Sequence, residues 1–134
     1  MNVFVTGGAG YIGSVCTEEL LDAGHQVAVY DNLSEGHRSA VDDRARFILG
    51  KPDEPNDILN AVRSAKPEAI LHFAANALVG ESMTNPGKYF HNNVANGLKL
   101  LEAALFDFSV GESLSVGNGT YREAEFKVWV HKVF

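Results

Sequence analysis

Residues 2–13 read NVFVTGGAGYIG, and this stretch decides the fold. Asn2 to Thr6 is a short apolar strand that runs straight into TGGAGYIG. From Ile12 the pattern turns helical, with Ile12, Cys16, Leu20 and Ala23 on one face, and Gly24 stands where a helix would stop. Gly7, Gly10 and Gly13 are spaced G-x-x-G-x-x-G, while Gly8, Gly10 and Gly13 also satisfy G-x-G-x-x-G. Such glycines permit a tight turn, let a pyrophosphate approach the backbone, and let helix and strand pack closely. The helix start offers unpaired N–H groups and the positive end of its dipole to the phosphates. The competing reading is a glycine turn that merely packs. Its context argues otherwise: a strand before, a helix after, and an acidic residue about 20 positions on.

That acidic residue is Asp31, at the end of a second strand, Gln26 to Tyr30. Its carboxylate suits the hydroxyls of an adenosine ribose and would repel a 2′-phosphate, which favours NAD over NADP. Further out, Arg46 to Leu49 reads as a third strand. Pro52 and Pro55 bracket a turn before a helix around Ile58 to Ser64, and Ala69 to Phe73 reads as a fourth strand, buried on both faces. A long helix then begins near Pro86, with Tyr89, Phe90, Val94, Leu98, Leu101 and Leu105 on its apolar side. Strands alternating with helices specify an α/β fold with a parallel sheet, here an incomplete Rossmann-type sheet with helices on both faces.

The 134 residues, 46% hydrophobic and 21% charged, have the composition of one globular domain. The net charge of −6 disfavours nucleic acid and anionic membrane as partners. No apolar run approaches the roughly 20 residues of a membrane span, and the N-terminus lacks the pattern of a signal peptide. Cys16 is the sole cysteine, so no internal disulfide forms, and a reducing cytoplasm is the expected compartment. The five histidines show no metal-ligand spacing, so no metal site is expected. His72 reads as a packed, hydrogen-bonded histidine, Cys16 as core, and Glu18 with Glu19 as a solvated helix face.

TGGAGYIGS, DNLSEGHR, HFAA, VGES and YFHNNV together carry a resemblance. From Met1 to about Leu105 the chain resembles the N-terminal, NAD-binding part of the bacterial UDP-glucose 4-epimerases, within the extended short-chain dehydrogenase/reductase family. The resemblance implies NAD as cofactor, a UDP-sugar as substrate of full-length members, and interconversion of UDP-glucose and UDP-galactose through a 4-keto intermediate. It places Gly7, Gly10, Tyr11, Ile12 and Gly13 around the pyrophosphate. Asp31, Asn32, Ser34 and Gly36 would hold the adenosine ribose and its neighbourhood. Phe73, Ala74 and Ala75 would line the cofactor, and Asn92 would reach it from the long helix. Val79, Gly80, Glu81 and Ser82 would lie near the nicotinamide and the sugar.

Three departures qualify this picture. Gly50 is followed by Lys51 and Pro52 where the family carries an acidic residue near the adenine, and Asp53 is not aligned to replace it. Ala77 stands where many members have a lysine near the nicotinamide. Family catalysis also needs a Ser or Thr and a Tyr-x-x-x-Lys pair. Four positions after Tyr11, Tyr30, Tyr89 and Tyr121 stand Val15, Ser34, Asn93 and Glu125, so the pair is absent and no catalytic residue is assigned. The family's substrate domain is absent too, and the chain as given is expected to be inactive.

After Leu105 the character changes, and residues 106–134 read as a divergent tail. The segment 106–120 reads as loop, and Phe126 to Phe134 alternates as one strand could. That strand would pair with the otherwise open apolar edge of strand four, an edge that invites self-association. The change also fits a fragment or a shifted reading frame. The alternatives are therefore a non-catalytic module for NAD or ADP-ribose, or a truncated product without function.

Overall fold

The computed structural model describes residues 1–110 and 128–130. Five strands form one parallel sheet in the order β3-β2-β1-β4-β5: β1 Asn2–Thr6, β2 Gln26–Asp31, β3 Arg46–Leu49, β4 Ala69–His72 and β5 Val128–Val130. Val5 pairs with Val29 on one side and Leu71 on the other. The helices are α1 Tyr11–Asp22, α2 Asp57–Ala65, α3 Val79–Thr84, α4 Pro86–Phe90 and α5 Gly97–Val110, with a π-helical stretch His91–Asn96 joining α4 to α5.

Alternate strand residues point to opposite faces, which makes two cores. On one face Phe4, Ala28, Tyr30 and Ile70 pack with Ile58, Ala61 and Val62 of α2 and with Leu100, Ala103 and Ala104 of α5. On the other, Val3, Val5, Val27 and Val29 pack with Val41 and Ala45 and, from α1, Leu20 and Leu21. The strands match the sequence reading closely, and the edge of β4 is covered as anticipated: Leu71 pairs in parallel with Trp129. The rest of the expected tail strand and residues 111–120 lie outside the described residues.

Two helix faces differ from expectation. The buried line of the long helix is Asn96, Leu100, Ala103 and Ala104, whereas Phe90, Val94, Leu98, Leu101 and Leu105 are exposed. The π-helical stretch fits an extra residue into a turn, which swings every later position round the axis. The small alanines then let α5 approach α2, and a row of large leucines would not. The helix also runs on to Val110, through residues that the sequence presents as loop. In α1 the buried residues are Gly13 and Thr17, not Ile12 and Ala23. Thr17 is fully buried at no polar cost because its hydroxyl donates to the Gly13 carbonyl at 2.8 Å. Cys16 is only half-buried, so it is not core.

Candidate functional site

The C-terminal ends of β1, β2 and β4 open onto one cleft of about 420 Å³. Its floor is the glycine turn. Gly7 has φ +73°, a conformation favouring glycine, and donates its N–H to the Tyr30 carbonyl at 2.9 Å. A side chain there would meet the Ala74 nitrogen at 2.6 Å. At Gly13 a Cβ would collide with the Gly7 carbonyl, so this glycine lets α1 rest on the turn. Gly8 serves a different purpose: its Cα faces Val29, and it packs on the sheet without lining the cleft. The set that lines the cleft is therefore Gly7, Gly10 and Gly13. No side chain caps α1, so the amides of its first turn remain available at the cleft.

Asp31 is buried beside the turn at 7% exposure. Its Oδ2 accepts the Ala9 N–H at 2.9 Å, and its Oδ1 accepts the Leu33 N–H at 2.8 Å. Each oxygen keeps a lone pair for a further donor. Asp31 thus also fastens the loop after β2 to the glycine turn. Asn32 shapes that loop by accepting the Ser34 N–H at 3.0 Å. His37 is exposed, and its backbone N–H donates to the Ala9 carbonyl.

Across the cleft, the segment after β4 is held by the long helix. Asn93 accepts the Asn76 N–H at 2.8 Å and donates to the Asn76 carbonyl at 2.9 Å. Asn92 donates to Asn93 at 3.1 Å. Thr6 and His72 share a hydrogen bond of 2.6 Å at the base of the cleft, and burial pushes the His72 imidazole below its ordinary value. Tyr30 donates to Asp57 at 2.7 Å; burial, then this hydrogen bond, pushes its phenol well up.

The structure brings Gly7, Gly10, Tyr11, Ile12, Gly13, Asp31, Asn32, Ser34, Gly36, Phe73, Ala74, Ala75 and Asn92 into this one cleft. Val79, Gly80, Glu81 and Ser82 are not among its lining residues. They lie on α3, where Glu81 binds Lys88 at 2.7 Å and Tyr89 at 2.9 Å, and Lys88, then Tyr89, hold its carboxyl below the usual range. Pro52, of the turn where the family carries its residue near the adenine, lines the cleft as well; Ile58, Asn96 and Leu100 do so without any sequence signal to announce them, because helix packing brings them there. No lysine or arginine lines it among the described residues, so an anionic ligand would be met by backbone amides. No described helix is long and apolar enough to cross a membrane.

Comparison with known proteins bears on the family and the fold. The profile of the NAD-dependent epimerase/dehydratase family matches residues 3–116. The chain is 48% identical over 104 residues to a UDP-glucose 4-epimerase of Corynebacterium glutamicum, covering 77% of this chain and 31% of that protein. It is equally similar, over 103 residues with the same shares, to the UDP-glucose 4-epimerase of Lacticaseibacillus casei. Among solved structures, UDP-glucose 4-epimerase from Brucella ovis in complex with NAD superposes with a TM-score of 0.76 at 42% identity, over 81% of this chain and 33% of that one. The Thermus thermophilus enzyme, also with NAD, gives 0.78 at 40% identity, over 81% and 35%. The chain spans about a third of the length of these relatives. With a strand–glycine turn–helix unit, an acidic residue ending β2 and a family match over most of its length, this chain belongs to the NAD-dependent epimerase/dehydratase family.

Proposed function

We propose that these residues hold NAD as the N-terminal part of an enzyme interconverting UDP-glucose and UDP-galactose, and that by themselves they do not turn over. The observation that carries this is the glycine turn beside Asp31: a Cβ at Gly7 or Gly13 would strike packed backbone, so glycine is what closes the turn, and α1 begins there uncapped. Tyr11, Ile12 and Gly13 would hold the pyrophosphate through backbone amides, and Gly10, whose own N–H donates to the Gly7 carbonyl at 3.1 Å, would let it approach by carrying no side chain. Asp31 would take the adenosine ribose hydroxyls on its remaining lone pairs, with Asn32, Ser34 and Gly36 beside it. Phe73, Ala74, Ala75 and Asn92 would line the opposite wall. When bound, NAD supplies a hydride acceptor and donor. The negative charges of Asp31 and Glu35 at the cleft disfavour the extra phosphate of NADP.

The relatives named as UDP-glucose 4-epimerases support the substrate class, as does the Thermotoga maritima enzyme solved with UDP-glucose. The cofactor unit is residues 1–105 and the tail 106–134; the compartment is the cytoplasm. No tyrosine of the sequence has a lysine four positions on, which removes the proton-transfer pair from this stretch. That same absence favours a second reading, a module that binds NAD or ADP-ribose without chemistry.

Calorimetric titration tests the proposal. NAD and ADP-ribose should both saturate at one site, with Asp31→Asn weakening both. Silence from both ligands would overturn it. UDP-galactose conversion should stay at background, and turnover above a mock preparation would refute the inactivity. Activity regained on adding the remaining portion of a related epimerase would favour the first reading over the second.

A further inference from the structure

Resting on that NAD reading, we infer that Lys99 and His91 are positioning residues for the base end of the cleft: they hold the turn between β3 and α2 against the adenine. The turn begins at Gly50, whose N–H donates to the Asp31 carbonyl at 2.8 Å. It therefore starts beside the carboxylate assigned to the adenosine ribose, and the base, bonded to that ribose, lies next to it. Pro52 of this turn lines the cleft with Ile58 and Leu100, an apolar wall suited to a flat heterocycle.

The same turn has empty space behind it. A second cavity of about 240 Å³ lies on its far side, and Pro52 and Ile58 border both. The turn is thus a thin partition with room to retreat. Side chains of the long helix hold it in place, and Lys99 and His91 make two short ties. Lys99, which borders the rear cavity, donates from Nζ to the Pro52 carbonyl at 2.7 Å and to Asn96 Oδ1 at 3.1 Å. His91 Nε2 meets Asp53 Oδ1 at 2.7 Å. The base of the turn is fixed independently, since Asp57 Oδ2 accepts the Lys51 N–H at 2.8 Å as well as the Tyr30 hydroxyl. Its root is anchored by β3 and α2, while its cleft-facing tip depends on the helix. Loss of either tie would let Pro52 withdraw into the rear cavity, and the base would lose its wall.

Titration of ADP-ribose into Lys99→Met, Lys99→Arg and His91→Ala, with thermal melting of each, tests this. Lys99→Met should weaken binding about tenfold while Lys99→Arg, which keeps the charged donor, stays within about threefold of the parent. His91→Ala should weaken it about threefold or more. Its side chain is 58% exposed, so this variant keeps the test standing if Lys99→Met fails to fold. A parent chain that binds no ADP-ribose would sink the NAD reading and this inference with it. A parent that binds, beside folded variants within about twofold of it, would overturn this inference alone and leave the NAD reading intact. Equal losses in Lys99→Met and Lys99→Arg would also overturn it.

Discussion

Gly10→Ala and Gly13→Ala should separate binding from folding, although the two glycines stand one helical turn apart in the same motif. At Gly13 the added methyl would strike the Gly7 carbonyl and lie 2.8 Å from the Gly8 Cα. Both are backbone atoms of a turn fixed by the Gly7–Tyr30 hydrogen bond, so neither can swing aside. Overpacking of this kind costs about 1–3 kcal/mol or more. For a domain near this size that lowers the melting temperature by roughly 5–20 °C. At Gly10 the only neighbour within contact range among the described residues is the Gly7 carbonyl at 3.3 Å, and φ is −79°, which alanine adopts freely. The tight contact is offset by the reduced freedom of the unfolded chain, worth about 0.4–1 kcal/mol. Stability should therefore stay within about 1 kcal/mol of the parent. The methyl nevertheless enters the cleft at the start of α1, where the phosphates must meet the amides. NAD affinity should fall at least about tenfold, or about 1.4 kcal/mol. Thermal melting by circular dichroism and calorimetric titration give the two readouts. A folded Gly10→Ala chain that binds NAD as tightly as the parent would refute the placement of the pyrophosphate. A Gly13→Ala chain as stable as the parent would refute the packing argument.

Two further outcomes concern the frame of the cleft. Burial lowers the His72 imidazole, so the unfolded chain binds a proton more readily than the folded one; the associated stability is complete above about pH 6.5 and is lost as pH falls through the folded value. Urea unfolding across this range should show that loss, and His72→Asn should flatten it; an unchanged slope would show that another group titrates. Asn93→Ala removes both partners of the Asn76 backbone and should cost about 1–2 kcal/mol by the same assay, with weakened NAD binding; parent-like stability would mean that the segment after β4 is held by other contacts.

The sequence by itself determined the order of elements and the chemistry of the turn. These are local properties. Glycine spacing, an apolar strand before it and Asp31 at the end of β2 are readable because each residue acts through its own backbone or its immediate neighbours. The side of each helix that is buried was decided by tertiary structure. Helical periodicity pointed to the side of the long helix carrying Phe90, Val94 and Leu98, whereas the π-helical stretch turns inward the side carrying Leu100, Ala103 and Ala104. The double duty of Asp31 was hidden for a similar reason. The Ala9 amide it accepts is 22 positions away and meets it only when β1 and β2 pair. Nothing in the sequence pairs Asp53 with His91 or Pro52 with Lys99, because these hydrogen bonds span 38 and 47 positions. Contacts at such separations arise from the packing of α2 against α5, which fixes where the cleft ends but leaves no spacing in the chain to read.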